Sequence, residues 1–213
     1  AEATAKSYTG FAFDEDNEGN VLSGNINGNG SLVLKVYYGR NSYEVSYSET
    51  NKPDGSPETP EKKSYKYGAN VPAATVPSLT GYTFTGWTGE VSTMPANDVA
   101  VTGEWTINSY NVIYTVDGST TETISTKYNA LVEIKAEPTK AGYTFSGWKI
   151  GEGAAADFNM PAEDVTISGT FTANTNTAYK VEHYQQNLDG TYPETATETE
   201  ALTGTTDTTA TAT

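Results

Sequence analysis

The same blocks of sequence occur twice in the same order along this chain, and nothing else in it constrains the fold as tightly. "NSYEVSY" at 41–47 returns as "NSYNVIY" at 108–114, and "GYTFTGW" at 81–87 returns as "GYTFSGW" at 142–148. "MPANDVAVTGEW" at 94–105 closes the first copy as "MPAEDVTISGTF" at 160–171 closes the second. Two copies of one module follow, 41–107 and 108–175. At about 67 residues, each is near the lower limit for an independent core, so its large aromatics must supply much of the burial.

The local pattern is that of strands. Apolar residues alternate in "SLVLKVYY" and "NSYNVIYTV", and no long stretch repeats them at helical spacing. Alternation puts Val99, Val101 and Trp105 on one side of the closing strand, and Val165, Ile167 and Phe171 on one side of its second copy. Trp87, Trp105, Trp148, Tyr82, Phe84, Tyr143, Phe145 and Phe171 are therefore the expected structural core. Trp87 and Trp148 could alternatively form an aromatic platform for carbohydrate. The glycines before and within "GYTF-x-GW" predict a turn followed by a bulge or a close backbone approach.

The 213 residues carry a formal charge of −15, which repels nucleic acid and anionic membrane surfaces. No apolar run is long enough for membrane insertion. Without cysteine there is neither a disulfide framework nor a thiol nucleophile, and the single histidine, His183, leaves little for acid–base or metal chemistry. No nucleophile elbow, phosphate loop or zinc-protease motif is present, so no catalytic residue is predicted and the chain is not expected to be an enzyme. Asp14, Asp16 and Glu18, followed by Gly19, echo the first half of a calcium loop, the single candidate for a bound ion. Its twelfth position is Asn25 rather than Glu. Lys35, Lys127, Lys135 and Lys180 lie in strand-like contexts where an isopeptide staple would need a buried lysine.

In order, spacing and the Met-Pro-Ala-(Asn/Glu)-Asp signature, the two modules resemble the Listeria–Bacteroides repeat, the B-repeat of internalin-type surface proteins. That resemblance implies a mostly β, at most α+β, fold of small β-grasp-like modules strung along a secreted or wall-attached bacterial protein, with no catalytic residues to carry over. The first copy departs from the pattern through a longer loop, "SETNKPDGSPETPEKKS", which reads as a solvated hairpin tip.

The flanks resemble two halves of one further domain. "YKVEHYQQNLDGTYPETATETEALTGTT" is similar to the opening of a mucin-binding-protein domain, and "KSYTGFAFDEDNEGNVLSGNINGNGSLVLKVYYGR" to its closing half. On this reading 176–213 is an N-terminal half that is completed by residues 1–40 of the next copy. A two-strand piece is marginal in water, so each half has a physical reason to seek the other. Val33, Val36 and Tyr38 on one side, with Tyr179, Val181, Tyr184 and Leu202 on the other, are the expected junction, with Thr213 of one copy meeting Ala1 of the next. Separate chains joined by strand complementation and one long tandem polypeptide are equally consistent with the sequence. The expected function is that of a structural repeat in an elongated surface filament or adhesin stalk, its partners being copies of itself. The alternative is a module that binds a host glycan or mucin, as the second resemblance implies.

Overall fold

In the stretch "VAVTGEW", Val99, Val101, Gly103 and Trp105 are buried while Ala100, Thr102 and Glu104 are exposed, the period of two that a half-buried strand requires. The same period recurs throughout, and the computed structural model, which describes residues 1–212, is accordingly built from strands, with no helix among those residues. Thr213, placed at the predicted junction, lies outside them. The chain divides into two units, Ala1–Ile107 and one that starts at Asn108.

The first unit contains β1 (Phe11–Phe13), β2 (Tyr38–Arg40), β3 (Ser42–Thr50), β4 (Lys63–Lys66), β5 (Tyr82–Phe84) and β6 (Val99–Ile107). The last four form one sheet in the order β4-β3-β6-β5. The β3–β4 hairpin and the β5–β6 pair are antiparallel, but the central pair, β3 and β6, is parallel, with Val45 opposite Val99 and Thr50 opposite Glu104. Between those two strands the chain forms β4 and β5 and is otherwise irregular. The apolar residues of this stretch close the core: Val71 and Met94 pack with Val45, Val99 and Val101, flanked by Tyr43, Tyr47, Tyr65, Trp87 and Val91.

The second unit holds β7 (Ser109–Val116), β8 (Ser119–Lys127), β9 (Leu131–Val132), β10 (Tyr143–Phe145), β11 (Lys149–Ile150), β12 (Gly153–Ala154), β13 (Phe158–Asn159), β14 (Val165–Gly169), β15 (Phe171–Ala173), β16 (Thr177–His183) and β17 (Glu198–Gly204). Its main sheet runs β12-β11-β14-β7-β8, again with a parallel central pair, Val112 opposite Val165. The single strand β6 of the first copy is here divided into β14 and β15, and β10 pairs with β15. The core is Val112, Tyr114, Val132, Trp148, Met160 and Ile167.

One glycine in each copy is demanded by packing. A Cβ on Gly103 would stand 2.0 Å from the Phe84 ring, and one on Gly169 would stand 2.1 Å from the Phe145 ring. Only a bare backbone lets those rings lie across the closing strand. Phe84 thereby reaches Trp87 (4.9 Å between centroids) and Trp105 (5.0 Å), and Phe145 reaches Trp148 (5.0 Å) and Phe171 (5.1 Å), all tilted or edge-on.

The flanking segments add two-stranded sheets, β1 with β2 and β16 with β17. Residues 14–37 are largely irregular, joined by bridges such as Val21 with Lys35. This segment meets the first module at Tyr67: the Phe11 ring packs edge-on against it, and Arg40 Nη1 donates to its carbonyl. The β16–β17 hairpin is tied to the second module through Thr206, whose amide donates to the Asn174 carbonyl and whose hydroxyl donates to the Gly142 carbonyl. Tyr143 donates a further hydrogen bond to Asp207.

Candidate functional site

A cleft of about 570 Å3 opens on the first module. Its floor is aromatic. Tyr47 comes from β3, Tyr65 from β4 and Trp87 from the bulge after β5, where Gly86 takes a φ of 94° that a side chain would resist. The Tyr47 and Trp87 rings meet nearly at right angles, 5.3 Å between centroids, so the floor is a corner. All three rings are half-buried. One wall is the β3–β4 loop, which brings Pro57, Glu58, Pro60 and Glu61, and the other is the connection at 72–78.

The first wall is held down by a buried carboxylate. The Glu49 side chain is 1% exposed, accepts a hydrogen bond from Trp105 Nε1 at 2.6 Å and pairs with Lys52 at 3.4 Å. Lys52 in turn donates to the Thr59 hydroxyl at 2.8 Å. Burial alone would raise the Glu49 carboxyl, but hydrogen bonds from Trp105 and Thr59 and the Lys52 charge outweigh it and leave it below its ordinary value. The second wall is pinned by Glu90, which accepts from the Ala74 amide at 2.7 Å, and by the Trp87 indole, which donates to the Thr75 carbonyl at 3.0 Å. Burial, then Glu90 and Tyr65, push the Tyr47 phenol up, so it is a neutral hydroxyl at physiological pH. Lys63 Nζ lies 5.6 Å from the Tyr65 ring centre.

The second module has a smaller cleft at the matching place, about 270 Å3, with Trp148 as the one aromatic ring in its lining. Trp148 is 8% exposed and Tyr114 2%. The Tyr114 hydroxyl accepts from the Lys135 amide, and the β11–β12 hairpin follows directly on Trp148, whose carbonyl accepts from the Ala155 amide. Across from Tyr110 stands Thr126 where Tyr65 faces Tyr43, and across from Val112 stands Ile124 where Lys63 faces Val45. The β7–β8 turn is only Asp117 and Gly118, so no wall rises beside it.

The two tryptophans that the sequence offers as one platform thus have different surroundings in their own modules. Tyr47 and Tyr65, which complete the cleft, escape notice in the sequence because one falls on the expected core face and the other follows the insertion. Of the remaining core candidates Trp105 is 1% exposed, while Tyr82, Phe84, Tyr143, Phe145 and Phe171 are half-buried. Met94 and Met160, at 1% exposure each, are core residues that the Met-Pro signature concealed.

The acidic turn closes on itself: Asn17 Nδ2 donates to Asp14, Asn20 Nδ2 donates to the Asp14 carbonyl, and the Gly19 amide donates to the Asn17 side chain. Among the described residues no three His, Asp or Glu side chains are grouped to hold a metal. Lys35, Lys127, Lys135 and Lys180 are all exposed, so none has the burial an isopeptide staple needs; Lys135 pairs with Glu122. His183 sits on β16 with Nε2 3.1 Å from Glu200. At the junction positions Val36, Tyr38, Tyr179 and Val181 are half-buried, whereas Val33, Tyr184 and Leu202 are 64%, 44% and 37% exposed.

Two β modules in series, each closed by a parallel pair of its first and last long strands, define a tandem-repeat protein. The Listeria-Bacteroides repeat domain matches residues 43–107 and 110–173, and the chain belongs to that family. It is 40% identical over 134 residues to internalin H of Listeria monocytogenes, a match covering 54% of this chain and 24% of that protein. Two proteins of Evansella cellulosilytica are also similar. One, described as a Gly-rich membrane protein, is 26% identical over 141 residues, covering 60% of this chain and 16% of its own length. The other, described as a membrane protein, is 25% identical over 171 residues, covering 75% and 24%. The chain therefore spans less than a quarter of the length of each relative.

Proposed function

We propose that this chain is a non-enzymatic structural repeat of an extracellular bacterial surface protein, a length of filament or adhesin stalk whose terminal segments join copies head to tail. The observation that carries the reading is where unburied apolar surface lies. Of the thirteen large apolar side chains exposed among the described residues, eleven belong to the flanking segments, including Ile26 at 78%, Val33 at 64% and Leu188 fully out. A contiguous cover for such surface is what an interface supplies. The two-stranded β1–β2 and β16–β17 sheets also leave main-chain donors and acceptors unpaired along their outer edges, and strand addition from another copy would satisfy them. A contact between unlike ends propagates rather than closing.

Family membership and the likeness to internalin H support the surface assignment. The order hairpin, crossover, parallel strand in the first module supports the β-grasp-like reading, with an irregular connection taking the place of the crossover helix.

The test is a fusion of two copies in tandem, followed by hydrogen exchange. The internal β16–β17 pair and the β1–β2 pair after it should exchange at least about tenfold more slowly than the same pairs at the outer ends. Leu202→Lys and Val33→Lys should abolish the difference. Equal exchange at internal and outer pairs, in a single-copy protein that stays monomeric at every concentration, would overturn the reading.

A further inference from the structure

The cleft on the first module has no role in a purely mechanical repeat, and its parts are those of a binding site. It is preformed, because both walls are fixed by buried or paired side chains: Glu49 and Lys52 hold the loop, and Glu90 holds the connection. It is concave and apolar at the base with polar groups at the rim, as small-ligand sites are. The matching cleft beside Trp148 is about half the volume and has one aromatic ring in its lining where this one has three, so the aromatic lining is particular to the first copy.

The lining selects among ligands. Half-buried Tyr47, Tyr65 and Trp87 offer ring surface against which the C–H face of a pyranose can lie. Glu58 and Glu61 at the rim are acceptors for hydroxyls, and Lys63 is a donor. Carboxylates beside an ammonium suit a ligand that carries both donors and acceptors and no net charge. The overall charge of −15 acts against anionic ligands at long range. A cation is a poorer fit, since the Lys63 ammonium in the lining would repel it.

We propose that the cleft between the β3–β4 loop and the 72–78 connection binds a neutral glycan, with Tyr65 and Trp87 as the stacking residues and Glu58 and Glu61 as hydroxyl acceptors. This site lies outside the flanking segments and goes beyond the stalk reading, which neither needs it nor fails with it.

The experiment applies the full chain to an array of neutral hexose and N-acetylhexosamine oligosaccharides printed beside their sialylated and sulfated forms. The strongest neutral binder is then titrated while tryptophan fluorescence is followed. Binding to neutral glycans, with little retention on the charged forms, is expected. Tyr65→Ala should weaken it by about tenfold or more, and Tyr65→Phe should retain it. Glu58→Gln with Glu61→Gln, both on solvent-facing positions that leave the fold intact, should shift the order of preference among the neutral sugars. Trp148→Phe should change nothing. Absence of any glycan binding, a preference for sialylated forms, or affinity unaffected by Tyr65→Ala would overturn the proposal. Retention of a proline-rich peptide in the same cleft would overturn the ligand class.

Discussion

The two modules have matching closing segments, positive-φ glycines around their tryptophan and the same buried methionine, yet the cleft beside one tryptophan is lined by three aromatic rings and the cleft beside the other by one. The difference lies in where each copy spends its extra residues. The first lengthens the hairpin between β3 and β4, which raises a wall beside Trp87; the second adds the β11–β12 hairpin after Trp148, which narrows the space over its ring. Compensating changes follow inside. Trp105 of the first copy needs a partner for its indole N–H and finds Glu49, whereas Phe171 of the second has no polar atom and the position of Glu49 is taken by Val116. A repeat core thus tolerates insertion at more than one hairpin, and the hairpin chosen decides whether an aromatic side chain serves packing or a ligand.

That contrast can be broken most forcefully at the tryptophans. Trp148→Ala should cost the second module about 4 kcal/mol, and Trp87→Ala should cost the first about 1–2 kcal/mol, read from exchange of the β7 and β3 amides. Equal losses would mean that both rings are core in the same sense. At the glycines the modules should instead behave alike: Gly103→Ala and Gly169→Ala each force a methyl into a phenylalanine ring and should each lower stability by about 2–3 kcal/mol in denaturant titrations.

Glu49 sharpens the comparison through pH. Its folded carboxyl lies below the ordinary 4.5, so its contribution is present above that value and disappears as pH falls through the lower, folded one. Acid should therefore weaken the first module at this position, and Glu49→Gln should flatten that dependence in denaturant titrations across pH, while Val116 leaves the second module without it. The smallest effect is expected at Ser56, whose hydroxyl is buried without a hydrogen-bond partner in the long loop. Ser56→Ala should raise the melting temperature slightly, by no more than about 1 kcal/mol of stability.

Much of the fold class was legible because alternation is a local signal: "VAVTGEW" and "NSYNVIY" announce strands by themselves, and the absence of helical spacing matches a structure without helices. Strand partners were not legible. That β3 lies beside β6, across a connection of more than thirty residues, is settled by the core that Met94 and Val71 complete, and neither residue has a periodic signature. The cleft was half legible. By sequence Trp87 fits either core or platform, and the choice between them depends on a distant loop whose prolines and charges carry no record of the Glu49 anchor beneath it. In the flanks, "SLVLKVYY" reads as a long strand, whereas the structure gives it an isolated bridge, Lys35 with Val21, and a short strand that starts at Tyr38 and pairs with Phe11–Phe13; Val33 is left 64% exposed.

The parallel pairing of each module's opening and closing strands carries a mechanical consequence. Tension drawn from Ser42 toward Ile107, or from Ser109 toward Ala173, would slide two side-by-side strands past each other rather than peel them apart. The six register pairs from Val45–Val99 to Thr50–Glu104, and the five from Val112–Val165 to Val116–Gly169, would then resist together instead of yielding one after another. Rupture under load is governed by the unfolding barrier rather than by equilibrium stability, so this pairing geometry would let a module resist pulling in proportion to its barrier and not to its melting point.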